Sequence, residues 1–154
     1  MKSKILFVED NPHKRTRVTE YIRTISSECV ITEAYSFSSG CQAIERDVYD
    51  FILLDISLPT YDRVGNESGG KFRPFAGKEI ARKLTRAGGK SKIVFITQYN
   101  SFSDKGTSHS LDGLVSVLMQ DSPSNFAGLV FYDSSRSSWK TEISRIFRDL
   151  GLCA

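Results

Sequence analysis

Long apolar runs and paired cysteines are both missing from this sequence of 154 residues. No hydrophobic stretch approaches the length of a membrane-spanning helix, and the amino terminus lacks a signal-peptide pattern. The three cysteines, Cys29, Cys41 and Cys153, form no CxxC motif and are odd in number. They are typical of reduced thiols and do not indicate a metal site. We therefore expect a cytoplasmic protein with no membrane association.

A strong charge of either sign is also missing. The chain has 21 basic and 18 acidic residues, a net charge of +3, and its basic residues are scattered rather than arranged in a stripe. This balance does not indicate direct binding of nucleic acid. The composition, 40% hydrophobic and 25% charged, is ordinary for a globular domain. We expect one domain over residues 1–154, long enough for a full hydrophobic core.

Short apolar runs alternate with amphipathic segments along the chain. The apolar runs predict five strands, at 4–8, 29–34, 51–54, 92–97 and 129–132. Helices are expected from Asn11-Pro12, from Ser38 or Ser39 (carrying Cys41, Ile44 and Val48), over 77–84, over 111–119 and from about Ser137. Residues 60–76 and 98–110 are polar and are predicted to be long loops. The alternation predicts a doubly wound parallel α/β sheet with its site at the carboxyl ends of the strands.

Acidic residues follow two of the predicted strands directly. Glu9 and Asp10 end the first strand, Asp55 ends the third, and Thr97 ends the fourth on the same edge of the sheet. Crowded carboxylates repel unless a cation lies among them, and oxygen ligands suit Mg²⁺. A carboxylate beside Mg²⁺ can accept a phosphoryl group.

Four stretches resemble the receiver domains of response regulators in two-component signalling. They are ILFVEDN (5–11), YDFILLDISLP (49–59), GKEIA (77–81) and IVFIT (93–97). The resemblance implies a flavodoxin-like, five-stranded sheet with strand order 2-1-3-4-5. It also implies a phosphorelay module that takes a phosphoryl group from a histidine kinase or phosphotransfer protein. Such a module is not an enzyme beyond its own phosphotransfer and dephosphorylation.

The resemblance assigns roles to five residues of this chain. Asp55 is implied as the phosphoacceptor, and Thr97 as the switch hydroxyl. Glu9, Asp10, Asp55 and the backbone carbonyl of Ser57 are implied as the ligands of Mg²⁺. Since we find no DNA-binding segment or second catalytic domain, we expect output through contacts with a downstream protein, with a homodimer as a further candidate. The end of the chain just after the last helix also fits a piece of a longer protein.

The chain departs from the family after the fifth strand. Receivers normally carry a Lys-Pro pair there, whereas this chain reads Tyr-Asp-Ser-Ser at 132–135, with Asp133 in place of the cation. Lys71, Lys78 and Lys105 are the candidates to supply the missing charge. The departure, with the two long loops, favours an alternative: a pseudo-receiver that acts as a protein-interaction or dimerisation module without phosphorylation.

Two further interpretations use the same residues. Glu9 and Asp10 could serve only as favourable charges near a helix amino terminus, with Asp55 and Thr97 as turn and strand-end residues. A Mg²⁺ phosphohydrolase or nuclease-like enzyme is disfavoured, because neither strand end carries the Asp-x-Asp motif that those folds use.

Overall fold

Strands and helices alternate through the computed structural model, which describes residues 2–104 and 106–152. The elements in chain order are β1 (Lys4–Val8), α1 (Pro12–Ile25), β2 (Val30–Ala34), α2 (Phe37–Arg46), β3 (Phe51–Leu54), β4 (Leu58–Pro59), β5 (Phe72–Arg73), α3 (Ala76–Arg86), β6 (Lys92–Thr97), β7 (Ser101–Asp104), β8 (Thr107–Ser110), α4 (Leu111–Asp121), β9 (Phe126–Phe131) and α5 (Ser138–Asp149). Among the described residues, no helix combines the length and apolar character needed to cross a membrane.

The central sheet has five parallel strands in the order β2-β1-β3-β6-β9. Counted among themselves, these strands follow the order 2-1-3-4-5, so the predicted flavodoxin-like fold is confirmed. Val8 lies opposite Leu54, and Leu54 opposite Phe95. This register brings the residues that follow β1, β3 and β6 to one edge of the sheet.

The central strands are buried on both faces, as parallel sheets require. Side chains alternate along β1, so Leu6 and Val8 pack on one face while Ile5 and Phe7 pack on the other. Helices α2, α3 and α4 contribute to the first core, and α1 and α5 to the second. The two faces therefore hold the strand tips rigidly in place.

Several bounds of the predicted elements are wrong. The fifth strand, predicted at 129–132, is β9 at Phe126–Phe131, so it begins three residues earlier and leaves out Tyr132. Helix α2 begins at Phe37, one to two residues early, because Ser36 caps it and accepts a hydrogen bond from the Ser39 amide. Its last residue is Arg46, so Val48 lies beyond the helix and is 79% exposed. The apolar character of Val48 made it look like a core residue of the helix.

Both segments predicted as long loops take part in short antiparallel hairpins: 60–76 contains β5, whose partner β4 lies just before it, and 98–110 contains β7 and β8. β4 pairs with β5, and the pairing continues outward through a hydrogen bond from the Tyr61 amide to the Gly69 carbonyl. Gly69 and Gly70 have positive φ angles, which only glycine adopts without strain. β7 pairs with β8, with Phe102 opposite His109. These hairpins have no strong apolar alternation, which is the pattern that predicts a strand.

Candidate functional site

Three carboxylates meet where β1 and β3 end side by side. Glu9 and Asp10 follow β1, and Asp55 follows β3 and is anchored by a hydrogen bond of 3.0 Å from its amide to the Val8 carbonyl. Each acid offers an oxygen within 4.8 Å of those of the other two. The structure thus brings together the three acids predicted from the sequence.

Two of these acids are shielded from water. Glu9 is 0% and Asp55 is 1% exposed. Burial raises the pKa of Glu9 to about 8, with the charge of Asp55 adding to the effect. Burial also raises the pKa of Asp55, against the opposing influence of a nearby ammonium group. Two buried carboxylates at this separation stay ionised only with positive charge between them.

Lys14 supplies that charge, a role that was not predicted from the sequence. Its Nζ lies 2.6 Å from Glu9 Oε1 and 3.5 Å from Asp55 Oδ2, and the residue is 1% exposed. The same ammonium donates hydrogen bonds to the Ile96 carbonyl at 3.0 Å and to Gln98 Oε1 at 2.7 Å. Burial alone would lower the pKa of Lys14, but the charges of Asp55 and Glu9 outweigh it and raise the pKa.

The position of Lys14 follows from the start of α1. Asn11 caps this helix, and its side-chain oxygen accepts hydrogen bonds from the amides of His13 and Lys14. The cap fixes the first turn directly after Glu9 and Asp10, so a long side chain at the third helical residue can reach back over the strand tips. A lysine one turn after an acidic pair was therefore the available signal.

The lysines proposed from the sequence to supply this charge do not do so among the described residues. Lys78 Nζ lies 3.8 Å from Asp121 Oδ2, and Lys71 is exposed. Lys105 lies outside the described residues. Asp133, at the position of the family's lysine, accepts hydrogen bonds from the amide and hydroxyl of Ser135 within its own turn.

Asp10 and Ser57 complete the edge of the site. Asp10 is partly exposed, and its Oδ2 lies 3.4 Å from Arg63 Nη1, on the segment between β4 and β5. Ser57 is buried two residues beyond Asp55, and its hydroxyl donates a 2.8 Å hydrogen bond to the Pro74 carbonyl. Arg63 therefore faces the acid cluster from a segment that the sequence predicted to be a long loop.

Thr97 ends β6 on the same edge and is fully buried. Its Oγ1 accepts a hydrogen bond of 3.1 Å from the Tyr99 amide, which ties the hydroxyl to the segment that leads into β7. A movement of the Thr97 hydroxyl would therefore displace that segment. Its predicted role as a switch stays a prediction.

The acid cluster fits a divalent cation. Its ligands are carboxylate oxygens, which suit Mg²⁺. Glu9 Oε1 is buried and makes no hydrogen bond of regular geometry, although the Lys14 ammonium lies 2.6 Å away. A buried carboxylate oxygen beside two further carboxylates is what a cation site offers.

The sequence profile of the response regulator receiver domain matches residues 5–116, a span that contains all three acids and Thr97. This chain belongs to the response regulator receiver domain family. The resemblance noted in the sequence is thereby confirmed.

Relatives of this receiver domain match it over most of its length. An uncharacterised protein, y4jR, of Sinorhizobium fredii is 31% identical over 91% of this chain and 93% of its own. The Detocs response regulatory protein DtcB of Enterobacter cloacae is 27% identical over 96% of this chain and 99% of its own. Both relatives therefore span nearly the same domain.

A solved structure has the same fold. The receiver domain of the sensor histidine kinase PA1611 from Pseudomonas aeruginosa, which holds a magnesium ion in its active-site cleft, superposes with a TM-score of 0.62. It covers 98% of this chain and 99% of its own, with 22% sequence identity. At that identity the likeness concerns the fold.

Proposed function

We propose that this receiver domain accepts a phosphoryl group on Asp55 in a two-component phosphorelay. The observation that carries the proposal is the buried Asp55 carboxylate at the tip of β3, with oxygens of Glu9 and Asp10 within 4.8 Å. An Asp55 oxygen attacks the phosphorus of a phosphohistidine on a partner. The new O–P bond forms as the P–N bond breaks, and the electron pair leaves with the imidazole of the partner.

The residues around Asp55 prepare it for this step. The Lys14 ammonium favours the ionised carboxylate, which is the nucleophilic form, and the Ile56 amide holds Asp55 Oδ1 with a hydrogen bond of 2.7 Å. Glu9, Asp10, Asp55 and the backbone carbonyl of Ser57 are the proposed ligands of Mg²⁺, which supplies positive charge for the phosphoryl oxygens when bound.

Thr97 is the proposed switch. A phosphoryl group on Asp55 adds negative charge and acceptor oxygens beside the tip of β6. The Thr97 hydroxyl donates to one of those oxygens and draws the following segment inward. The surface formed by α4, β9 and α5 then changes its conformation and is bound by another protein.

Partners follow from membership in the receiver family. A histidine kinase or phosphotransfer protein donates the phosphoryl group in the cytoplasm, and a downstream protein or a second copy of the chain reads the result. The name of the relative DtcB, a response regulatory protein, supports this assignment.

One observation favours a second candidate, the pseudo-receiver. Lys14 already balances the charges of Glu9 and Asp55, and Asp133 stands where the family carries a cation. In that case the fold is kept as a protein-interaction or dimerisation module, and Asp55 serves only as a structural partner of Lys14.

A small-molecule phosphodonor separates the two candidates. The protein is incubated with acetyl phosphate and Mg²⁺, and its intact mass is measured. We expect the mass of one phosphoryl group in the unaltered protein and in Asp50→Asn, a matched control just before the other end of β3, and no gain in Asp55→Asn. No gain in any protein, together with no spectral response to beryllofluoride, would favour the pseudo-receiver.

A further inference from the structure

The Lys14 ammonium touches two sets of acceptors in different parts of the site. On one side lie Glu9 Oε1 at 2.6 Å and Asp55 Oδ2 at 3.5 Å, both from proposed metal ligands. On the other side lie the Ile96 carbonyl at 3.0 Å and Gln98 Oε1 at 2.7 Å, at the tip of β6. An ammonium group has three protons and cannot serve four acceptors fully at once.

A divalent cation at the acid cluster would compete for the oxygens that Lys14 now contacts, because Glu9 Oε2 and Asp55 Oδ1 already accept hydrogen bonds from the Asn11 and Ile56 amides. Like charges repel, and the repulsion is strong where water is excluded. Lys14 is 1% exposed, so solvent does not screen its charge. The Ile96 and Gln98 oxygens are neutral and belong to no proposed ligand, so they can keep the ammonium in either state.

We propose that Lys14 competes with the divalent cation for Glu9 and Asp55. Lys14 releases these two acids when the cation binds and keeps its bonds to Ile96 and Gln98. This inference rests on the metal site of the proposed function and adds a regulator to it. Lys14 is thus a positioning residue, one that links the acid cluster to the tip of β6.

Space and connectivity favour such a movement. A cleft of about 290 Å³ borders the site, and its walls include Lys14, Gln98 and Tyr132. Gln98 directly follows Thr97, the proposed switch residue. A shift of the Lys14 ammonium toward Gln98 would therefore be transmitted to the segment that carries the switch.

Calorimetric titration with Mg²⁺ alone tests the competition, at one fixed ionic strength and at one fixed pH above 8, so that a proton does not occupy Glu9 in place of the cation. Lys14→Met removes the competing charge with a side chain of similar length, and we expect Mg²⁺ to bind roughly tenfold or more tightly. Lys14→Arg keeps the charge and is expected to bind like the unaltered protein. Lys90→Met, which removes an exposed charge at the opposite end of the sheet, is the matched control and should leave the affinity unchanged.

Gln98 provides a second variant that does not disturb the buried ion pairs. Gln98→Ala removes an acceptor that matters most once Lys14 has left Glu9 and Asp55, so Mg²⁺ should bind roughly threefold or more weakly. In the Lys14→Met background the same change should have no effect. Circular dichroism checks the folding of each variant, and Gln98→Ala decides the question if Lys14→Met does not fold.

The outcomes separate this inference from the proposed function. Tighter binding in Lys14→Met, or weaker binding in Gln98→Ala that vanishes without Lys14, supports the competition. Equal affinities in all variants would overturn the competition and leave the phosphoacceptor proposal standing. Failure of every variant to bind Mg²⁺ would overturn the competition and the proposed metal site together.

Discussion

Replacing Lys14 with methionine is expected to destabilise the fold through the two acids that it leaves behind. Glu9 and Asp55 are 0% and 1% exposed, and among the described residues Lys14 is the cation within 4 Å of both. Removing one partner of a buried ion pair typically costs about 3–5 kcal/mol. Protonation of one acid relieves part of this cost, so we expect a loss of about 3 kcal/mol in the free energy of unfolding.

That loss is large against the total stability of a domain of this size, about 5–15 kcal/mol. Urea unfolding in the presence of a chelator measures it, with the fluorescence of the buried Trp139 as the signal. The ring of Trp139 packs on Tyr132 at 5.1 Å, and Tyr132 in turn lies 5.8 Å from Lys14 Nζ. The single tryptophan therefore reports on the side of the core next to the site.

Two comparisons make the result interpretable. Lys90→Met should change the stability by less than about 0.5 kcal/mol, because Lys90 is exposed. The double variant Glu9→Gln, Lys14→Met should be more stable than Lys14→Met alone, because glutamine removes the cost of either protonating the Glu9 carboxylate or burying it as an uncompensated charge. A loss below about 1 kcal/mol in Lys14→Met would refute the view that Lys14 balances the acid cluster.

Three further results are expected. Gly77→Ala should destabilise the protein by about 2 kcal/mol or more in urea unfolding and lower phosphorylation, because its Cβ would lie 2.2 Å from the Asp55 carbonyl oxygen. In the helical control Gly113→Ala the Cβ would lie 3.4 Å from Ser110 Oγ, so this variant should be neutral or gain up to about 1 kcal/mol. The dissociation constant for Mg²⁺ should fall about tenfold per pH unit as the pH rises toward 8 and then level off, because burial raises the pKa of Glu9 to about 8 and below that pH a proton competes with Mg²⁺ for Glu9. Calorimetry at several pH values measures this, and an affinity that does not change with pH would contradict it. Thr97→Ala should still accept a phosphoryl group but lose the change in amide hydrogen exchange that phosphorylation causes over α4, β9 and α5, whereas Thr97→Ser should keep that change. An undiminished change in Thr97→Ala would rule out the switch role.

The ends of the central strands could be predicted because the sequence marks them sharply. Apolar runs stop at Glu9, Asp55 and Thr97, and parallel pairing then brings those stops to one edge of the sheet. Asn11-Pro12 likewise marked the start of α1. Local chemistry decided these features, and the structure agrees with them.

Lys14 could not be assigned because its role depends on contacts made far along the chain. Its ammonium reaches the Ile96 carbonyl and Gln98, 82 and 84 residues away. In the sequence it is one charged residue among several in a solvated helix turn. The family pattern also predicts a cation at the end of the fifth strand, and the lysines considered as its replacement all lie later in the chain than Lys14.

The hairpins in the two polar segments were missed for a different reason. β4 and β5 are two residues each, and their pairing depends on positive φ angles at Gly69 and Gly70. β7 and β8 are rich in serine and threonine, residues that indicate a loop as readily as a strand. Short polar strands have too little apolar alternation to be recognised before the fold is known.

Locating the phosphorylated residue in the sequence would establish whether Asp55 is the phosphoacceptor. After treatment with acetyl phosphate and Mg²⁺, borohydride reduces an aspartyl phosphate to homoserine, which tandem mass spectrometry locates in the sequence. We expect homoserine at position 55, and none when a chelator replaces Mg²⁺. Homoserine at Asp10 or another acid, or at no position, would contradict it.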